Sequence, residues 1–206
     1  MPKIFAFDTE TTGLPKWGRP FDLPDQPHMV ELGWIFSPTG EEEAPASRGH
    51  LYVNWGGPVP FDEKARETNG LSDDFLRDAG VGPQVVLNLA LQMIQKADMI
   101  LGHNIQFDLD ILKIHAYKVG RIEVYDQSLA GKILYCTKKH GEPVVKIPHP
   151  SRINAYKPPK LVELHEHFFG EPHKGAHGAL ADIEATWRCF HGIQRWQAGP
   201  PAATPV

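Results

Sequence analysis

Cysteine is nearly absent from this chain: Cys136 and Cys189 are the only two among 206 residues. That scarcity excludes a disulfide framework and a cysteine-rich zinc site. No stretch approaches the ~18 apolar residues that a membrane-spanning helix requires. Met1-Pro2-Lys3-Ile4 lacks the long apolar run and the small-residue cleavage site of a secretion signal. The expectation is a cytoplasmic protein without membrane contact. A basic surplus is also missing, since 21 Lys and Arg against 25 Asp and Glu leave a net charge of −4. Nucleic-acid binders are usually read from the opposite balance, so composition by itself argues against nucleic acid.

What is present describes one compact unit. At about 150 residues per domain the length suits a single domain with decoration, long enough to bury a core without staples. An apolar fraction of 41% and a charged fraction of 22% exclude a disordered chain. Gly13 to Pro27 and Gly141 to Pro159 read as Pro-rich loops, and residues 198–206 as a flexible Pro/Ala tail behind a domain spanning 1–197. Lys3–Asp8, Met29–Phe36 and His50–Trp55 read as strands, and Met99–Gly102 as a fourth. Phe61–Thr68 reads as a short helix ended by Asn69-Gly70. Val85, Leu89 and Met93, with Val86 and Ala90, form a helical stripe. Phe107, Ile111, Leu112 and His115 mark another helix. Leu161–Phe168 and Ala179–Trp196 are two more, the last with Ile183, Trp187, Phe190 and Ile193 toward one face. Strands first, then strands alternating with helices, predict an α/β fold: a mixed sheet flanked by helices.

Three segments carry chemistry. Phe7-Asp8-Thr9-Glu10-Thr11-Thr12-Gly13-Leu14 follows an apolar strand, and period two puts Asp8 and Glu10 on one side. Two carboxylates side by side at a buried strand end raise each other's pKa. They either begin a solvated loop or hold divalent cations. His103-Asn104-Ile105-Gln106-Phe107-Asp108 sits at a strand-to-helix corner, with Asp108 in the first turn where the macrodipole favours an anion. Asp110 lies ~200° away from Asp108 on an ideal helix, so the two should not share a site. His177-Gly178-Ala179-Leu180-Ala181-Asp182 allows His177 and Asp182 to converge only if His177 lies on the loop before the helix. Taken singly, the second and third segments are also ordinary helix starts.

Together, in this order and spacing, the three resemble the motifs of the DEDDh family of exonucleases, with the proofreading subunits of bacterial DNA polymerase III and their stand-alone relatives as nearest kin. Val30-Glu31-Leu32-Gly33 and Pro159-Lys160-Leu161 with Glu163-Leu164 extend the likeness to roughly residues 3–193. The resemblance implies a ribonuclease H-like fold and a 3′→5′ exonuclease. Asp8, Glu10, Asp108 and Asp182 would hold two Mg²⁺ or Mn²⁺, and His177 would take the proton of the attacking water. It also implies that Thr11, Thr12, Gly13, Leu14, His103, Asn104 and Phe107 meet the terminal nucleotide. The substrate would be a nucleic-acid 3′ end, with single-stranded or frayed DNA favoured and RNA the alternative. Association with a polymerase and a stand-alone role are both open. Two positions depart from the pattern. Asn69-Gly70-Leu71 stands where relatives often have His-Gly-Ile, and Cys136-Thr137 where many have Asp-Thr.

The remaining clusters read as structural. His165, His167, His173 and His177 match no zinc spacing. Cys136 reads as packing, and the five tryptophans as core and rim rather than a stacking array. Lys138, Lys139, Lys146, Arg152, Lys157 and Lys160 form either a solvated loop or a local phosphate-binding patch. A non-catalytic adaptor that keeps the fold only for interaction is the reading in a different class. The set of four carboxylates plus His177 argues against it.

Overall fold

The computed structural model describes residues 2–43, 45–175 and 177–199. Strands β1 (Ile4–Thr11), β2 (Met29–Ser37) and β3 (Ser47–Tyr52) form an antiparallel meander. Helices α1 (Glu63–Asn69), α2 (Asp73–Ala79) and α3 (Pro83–Lys96) lead to β4 (Met99–Gly102), which returns parallel to β1. Helices α4 (Ile105–Lys118) and α5 (Ile122–Leu129) lead to β5 (Ile133–Cys136), parallel to β4. The chain then adds α6 (Thr137–Val145), α7 (Leu161–Phe169) and α8 (Ala179–Ala198). The sheet order is β3-β2-β1-β4-β5, so the expected mixed sheet flanked by helices is present. No helix among the described residues is long and apolar enough to cross a membrane.

β1 is the central strand and is covered on both faces. Its alternation sends Phe5 and Phe7 into one core with Leu87, Ile94 and Leu112 of α3 and α4. Ile4 and Ala6 enter a second core with Ile183, Trp187 and Phe190 of α8. That alternation continues into the polar end of the strand and sorts its functional side chains. The start of α8 lies directly on β2, because Gly33 has no side chain. A Cβ there would stand 2.3 Å from the backbone carbon of Ala179. Gly33→Ala should therefore cost about 1–3 kcal/mol, as overpacking does, and displace Asp182 with the helix. Urea unfolding together with activity would show both losses, and a fully stable, fully active variant would refute this account of the docking.

Several expectations change in the structure. On α3 the buried face is Val86, Leu87, Ala90, Leu91 and Ile94, and Val85 is 56% exposed. The helix is apolar around much of its circumference, so the sheet chooses the face. The third strand lies three residues earlier than expected. After Tyr52 the chain leaves the sheet, and the Trp55 indole donates to the Met29 carbonyl at 2.9 Å. Helix α6 occupies the first part of the expected loop 141–159, with Pro143 inside it, and Gly141 lets it settle on Leu164 and Pro159. Of the expected tail, Ala198 closes α8 and Gly199 caps it; the rest lies outside the described residues.

Candidate active site

β1 and β4 pair only as far as Ala6 and Leu101. Beyond that, β4 ends at Gly102 and the chain turns into α4 through Asn104, whose φ of 74° is left-handed. β1 runs on to Thr11, so its carboxyl end borders a notch between diverging elements. This is where open α/β sheets accept ligands.

The alternation of β1 decides which group meets which. Asp8 and Glu10 follow Ile4 and Ala6 onto the face covered by α8, whose first turn carries Asp182. One carboxylate oxygen from each of Asp8, Glu10 and Asp182 lies within 4.8 Å of the other two. Thr9 follows Phe5 and Phe7 onto the face covered by α4. There the Thr9 backbone N–H and hydroxyl donate to Asp108 Oδ1 at 3.0 and 2.9 Å. Asp108 is thereby held at the site from the opposite face of the same strand. The start of α8 is pinned by Glu31, which accepts from the Ala179 N–H at 3.3 Å and pairs with His50 Nδ1 at 2.6 Å.

The electrostatics are those of an uncompensated anionic cluster. Burial pushes the Asp8 carboxyl well above its usual range, and Asp108, Asp182, Glu10 and Glu31 push it further. Glu10 rises to about 8 for the same reasons, burial first and then Asp182, Glu31 and Asp108. Asp108 rises to about 7, again chiefly through burial, although the Thr9 hydrogen bonds pull it down. Among the described residues no Lys or Arg pairs with these carboxylates; besides His50 on Glu31, the imidazole that meets them is that of His173, whose Nε2 lies 2.8 Å from Asp182 Oδ1. Oxygen donors that converge without a cation suit a hard divalent metal, which takes carboxylates and water. Among the described residues this is the one acidic or histidine cluster compact enough to hold an ion. The four histidines of 165–177 form no such group. His165 instead hydrogen-bonds the Glu171 carbonyl at 2.8 Å.

Beside the carboxylates lies a cavity of ≈ 310 Å³. Its walls include Glu10 together with Thr11, Gly13, Leu14 and Phe107, facing Asp62, Lys64, Thr68 and Asn69 across the space. Asn69, where relatives often have His, spends its side chain locally. Its amide donates to the Thr11 carbonyl, and its oxygen accepts from the Leu71 N–H, both at 3.1 Å. Three implied contacts do not line this cavity. Thr12 is 2% exposed and accepts from the His28 N–H at 3.0 Å. His103 meets the Thr137 hydroxyl at 3.0 Å, and burial lowers its pKa to about 4. Asn104 is exposed at the start of α4, where Lys138 Nζ reaches its side-chain oxygen at 3.5 Å.

His177 lies, as expected, on the loop before α8, exposed and with a left-handed φ of 71°. The imidazole in contact with Asp182 is that of His173. Sequence reasoning did not assign His173, Thr9 or the α1 wall to the site. Thr9 was recoverable, because the same period-two rule sends it to the opposite face from Asp8 and Glu10. Nothing in the sequence marked His173 beyond its proximity. Asp110 and Asp108 diverge as their angular separation predicts: Asp110 accepts from the Trp17 indole at 3.0 Å. Within the basic cluster, Lys157 is paired to Glu163 at 2.7 Å, which removes part of its positive charge.

A family model described as exonuclease, of the RNase T type, matches residues 5–190. No curated protein matches. Among solved structures, E. coli exonuclease I in complex with a dT13 oligonucleotide superposes with a TM-score of 0.72 at 18% identity, covering 96% of this chain and 42% of that one. A moderately thermophilic exonuclease I from Methylocaldum szegediense gives 0.69 at 17% identity, covering 97% and 42%. This chain thus spans about two fifths of the length of those neighbours, and at such identity they show the shared ribonuclease H-like fold. The match along most of the chain places it in the DEDD exonuclease family.

Proposed function

We propose that the protein is a metal-dependent 3′→5′ exonuclease that hydrolyses single-stranded or frayed DNA 3′ ends to nucleoside monophosphates. The convergence of Asp8, Glu10 and Asp182 within 4.8 Å, with Asp108 beside them, supports this reading most strongly. A pair of Mg²⁺ or Mn²⁺ ions bound there supplies an activated water and charge stabilisation for the leaving 3′ oxygen. Asp8, Glu10, Asp108 and Asp182 would be the residues that hold them. His177 is our candidate for the group that takes the water's proton, the general-base task that imidazoles most often perform. Its exposed position on a loop one turn ahead of Asp182 supports that role. His173 holds Asp182 and so orients a ligand. Leu14 and Phe107 offer apolar surface for the terminal nucleotide in the neighbouring cavity, and contact of that kind tolerates any base.

The DNA substrate rests on likeness to neighbours solved with single-stranded DNA. We assign the work to DNA proofreading, repair or turnover in the cytoplasm, alone or on a polymerase. The net charge of −4 no longer argues against nucleic acid. Two divalent ions return about four positive charges at the site of the scissile phosphate. A panel of 5′-labelled single-stranded DNA, mismatched primer, 3′-overhang duplex and RNA, each with Mg²⁺, Mn²⁺ or EDTA, tests the proposal. The expected result is metal-dependent laddering from the 3′ end, fastest on single-stranded DNA. A preference for RNA would make the protein an exoribonuclease, and hydrolysis that persists in EDTA would overturn the metal assignment.

A further inference from the structure

Trp17 is a large exposed aromatic that the exonuclease reading leaves without a task, and it stands beside Phe107 of the candidate site. It is 56% exposed, yet it is held at both ends. Its indole N–H donates to Asp110 Oδ2 at 3.0 Å, and Asp110 is in turn fixed by Gln106 Nε2, which donates to Oδ1 at 2.8 Å. On the backbone side, Gln26 is 1% exposed inside the loop and accepts from the Lys16 N–H at 2.9 Å, while donating to the Pro20 carbonyl at 3.1 Å. Lys16 and Arg19 share Asp25, which closes the loop from outside. Immobilising a large side chain costs rotamer entropy, and little burial repays that cost here. The ring stands 6.4 Å from Phe107, which lines the nucleotide-sized cavity, and Leu14, 66% exposed, lies on the same rim. An apolar surface therefore leads out of the cavity and ends on a rigid, open indole.

We propose that Trp17 is the stacking platform for the base next to the 3′-terminal nucleotide, and that Asp110 is the positioning residue that holds its indole ready. This rests on the exonuclease reading above. The occupant is the second base of a single strand, because the platform is continuous with the cavity wall through Phe107 and lies outside the space of one nucleotide. Every base has a π-face, so the subsite accepts any sequence. It also requires an unpaired second base, since stacking on the indole takes that base out of the duplex.

The test compares three substrates on the metal-loaded protein: a single-stranded oligonucleotide, the same strand with an abasic residue next to the 3′ nucleotide, and the p-nitrophenyl ester of thymidine 5′-monophosphate. Stacking is worth enough that Trp17→Ala should raise KM for the oligonucleotide about tenfold with little change in kcat. The increase should exceed any change in KM for the ester by a similar factor. The abasic substrate should raise the wild-type KM by about as much and leave the Trp17→Ala value unmoved, while Trp17→Phe should recover most of the affinity. Asp110→Ala should give a smaller increase that vanishes in the Trp17→Ala background. If Trp17→Ala weakens all three substrates equally, or none, the platform is refuted while the exonuclease assignment stands. If the wild-type protein hydrolyses neither ester nor oligonucleotide with any metal, the exonuclease reading falls, and the platform falls with it.

Discussion

Replacing Asp8 with Asn should abolish hydrolysis, by about a thousandfold or more, while making the metal-free protein more stable. The two effects have one cause. Asp8 sits among Asp108, Asp182, Glu10 and Glu31, each of which disfavours its charge, and burial disfavours it most. Asn keeps the size and removes the charge, so the folded state is relieved of repulsion it otherwise carries. Groups that stabilise charge in a dry site are commonly worth factors of about 10²–10³ in rate, and Asp8 is one of the carboxylates that would hold the metal. The relief should appear as about 1–3 kcal/mol of added stability in EDTA near pH 8, a familiar exchange of stability for function. Single-turnover hydrolysis and urea unfolding of the same preparation check it. Lower stability with unchanged activity would identify Asp8 as a structural residue and overturn the site. Asp182→Asn should behave similarly in rate, but with less gain in stability, because His173 already partners that carboxylate.

The second large effect is a coupling between pH, metal and stability. Glu10 and Asp108 are raised to about 8 and about 7, so near neutrality the folded protein binds more protons than the unfolded chain. Stability must then fall as pH rises through those values. His28, His103 and His115 act oppositely. Burial holds each down to about 4, so the unfolded chain binds the extra protons below its own histidine pKa, and stability rises with pH there. Above about pH 6.5 the histidine contribution is complete and the carboxylates act alone. In EDTA the melting temperature should therefore peak near pH 6.5 and drop by roughly 5 °C toward pH 8, given about 2–4 °C per kcal/mol at this size. Mg²⁺ or Mn²⁺ competes with those protons, so the rise in melting temperature on adding metal should be larger at pH 8 than at pH 6. Calorimetry across that range decides it. A flat EDTA profile above pH 6.5, or an equal metal shift at both pH values, would show that the carboxylates are not the proton-binding cluster their burial implies.

Much of the site was legible because its signals are local. Ile4 to Phe7 is continuously apolar and must be buried on both faces, and period two then puts Asp8 and Glu10 together. The apolar positions of α8, Ile183, Trp187, Phe190 and Ile193, are all buried, and Asp182 falls in its first turn as its spacing requires. The elements that went unread are short or contradict their own propensity. β5 has four residues, α2 and α5 have seven and eight, and α6 carries both Gly141 and Pro143. They form because the surrounding core needs covering, a demand no short window reveals.

What the sequence by itself determined is therefore the inventory and its phase: a mixed sheet, a buried first strand, and four carboxylates in an order that matches one family of nucleases. Only the tertiary structure decided how they meet. Thr9, on the face of β1 away from Asp8, is what captures Asp108, and the bare backbone of Gly33 is what brings Asp182 to the cluster. It also chose His173 rather than His177 as the partner of Asp182, and turned Trp17 from an anonymous aromatic into an exposed ring clamped by Asp110. The reason is the same in each case. Period and spacing are properties of one segment, whereas contact across 99 residues, as between Thr9 and Asp108, depends on where two separately buried elements stop pairing and diverge.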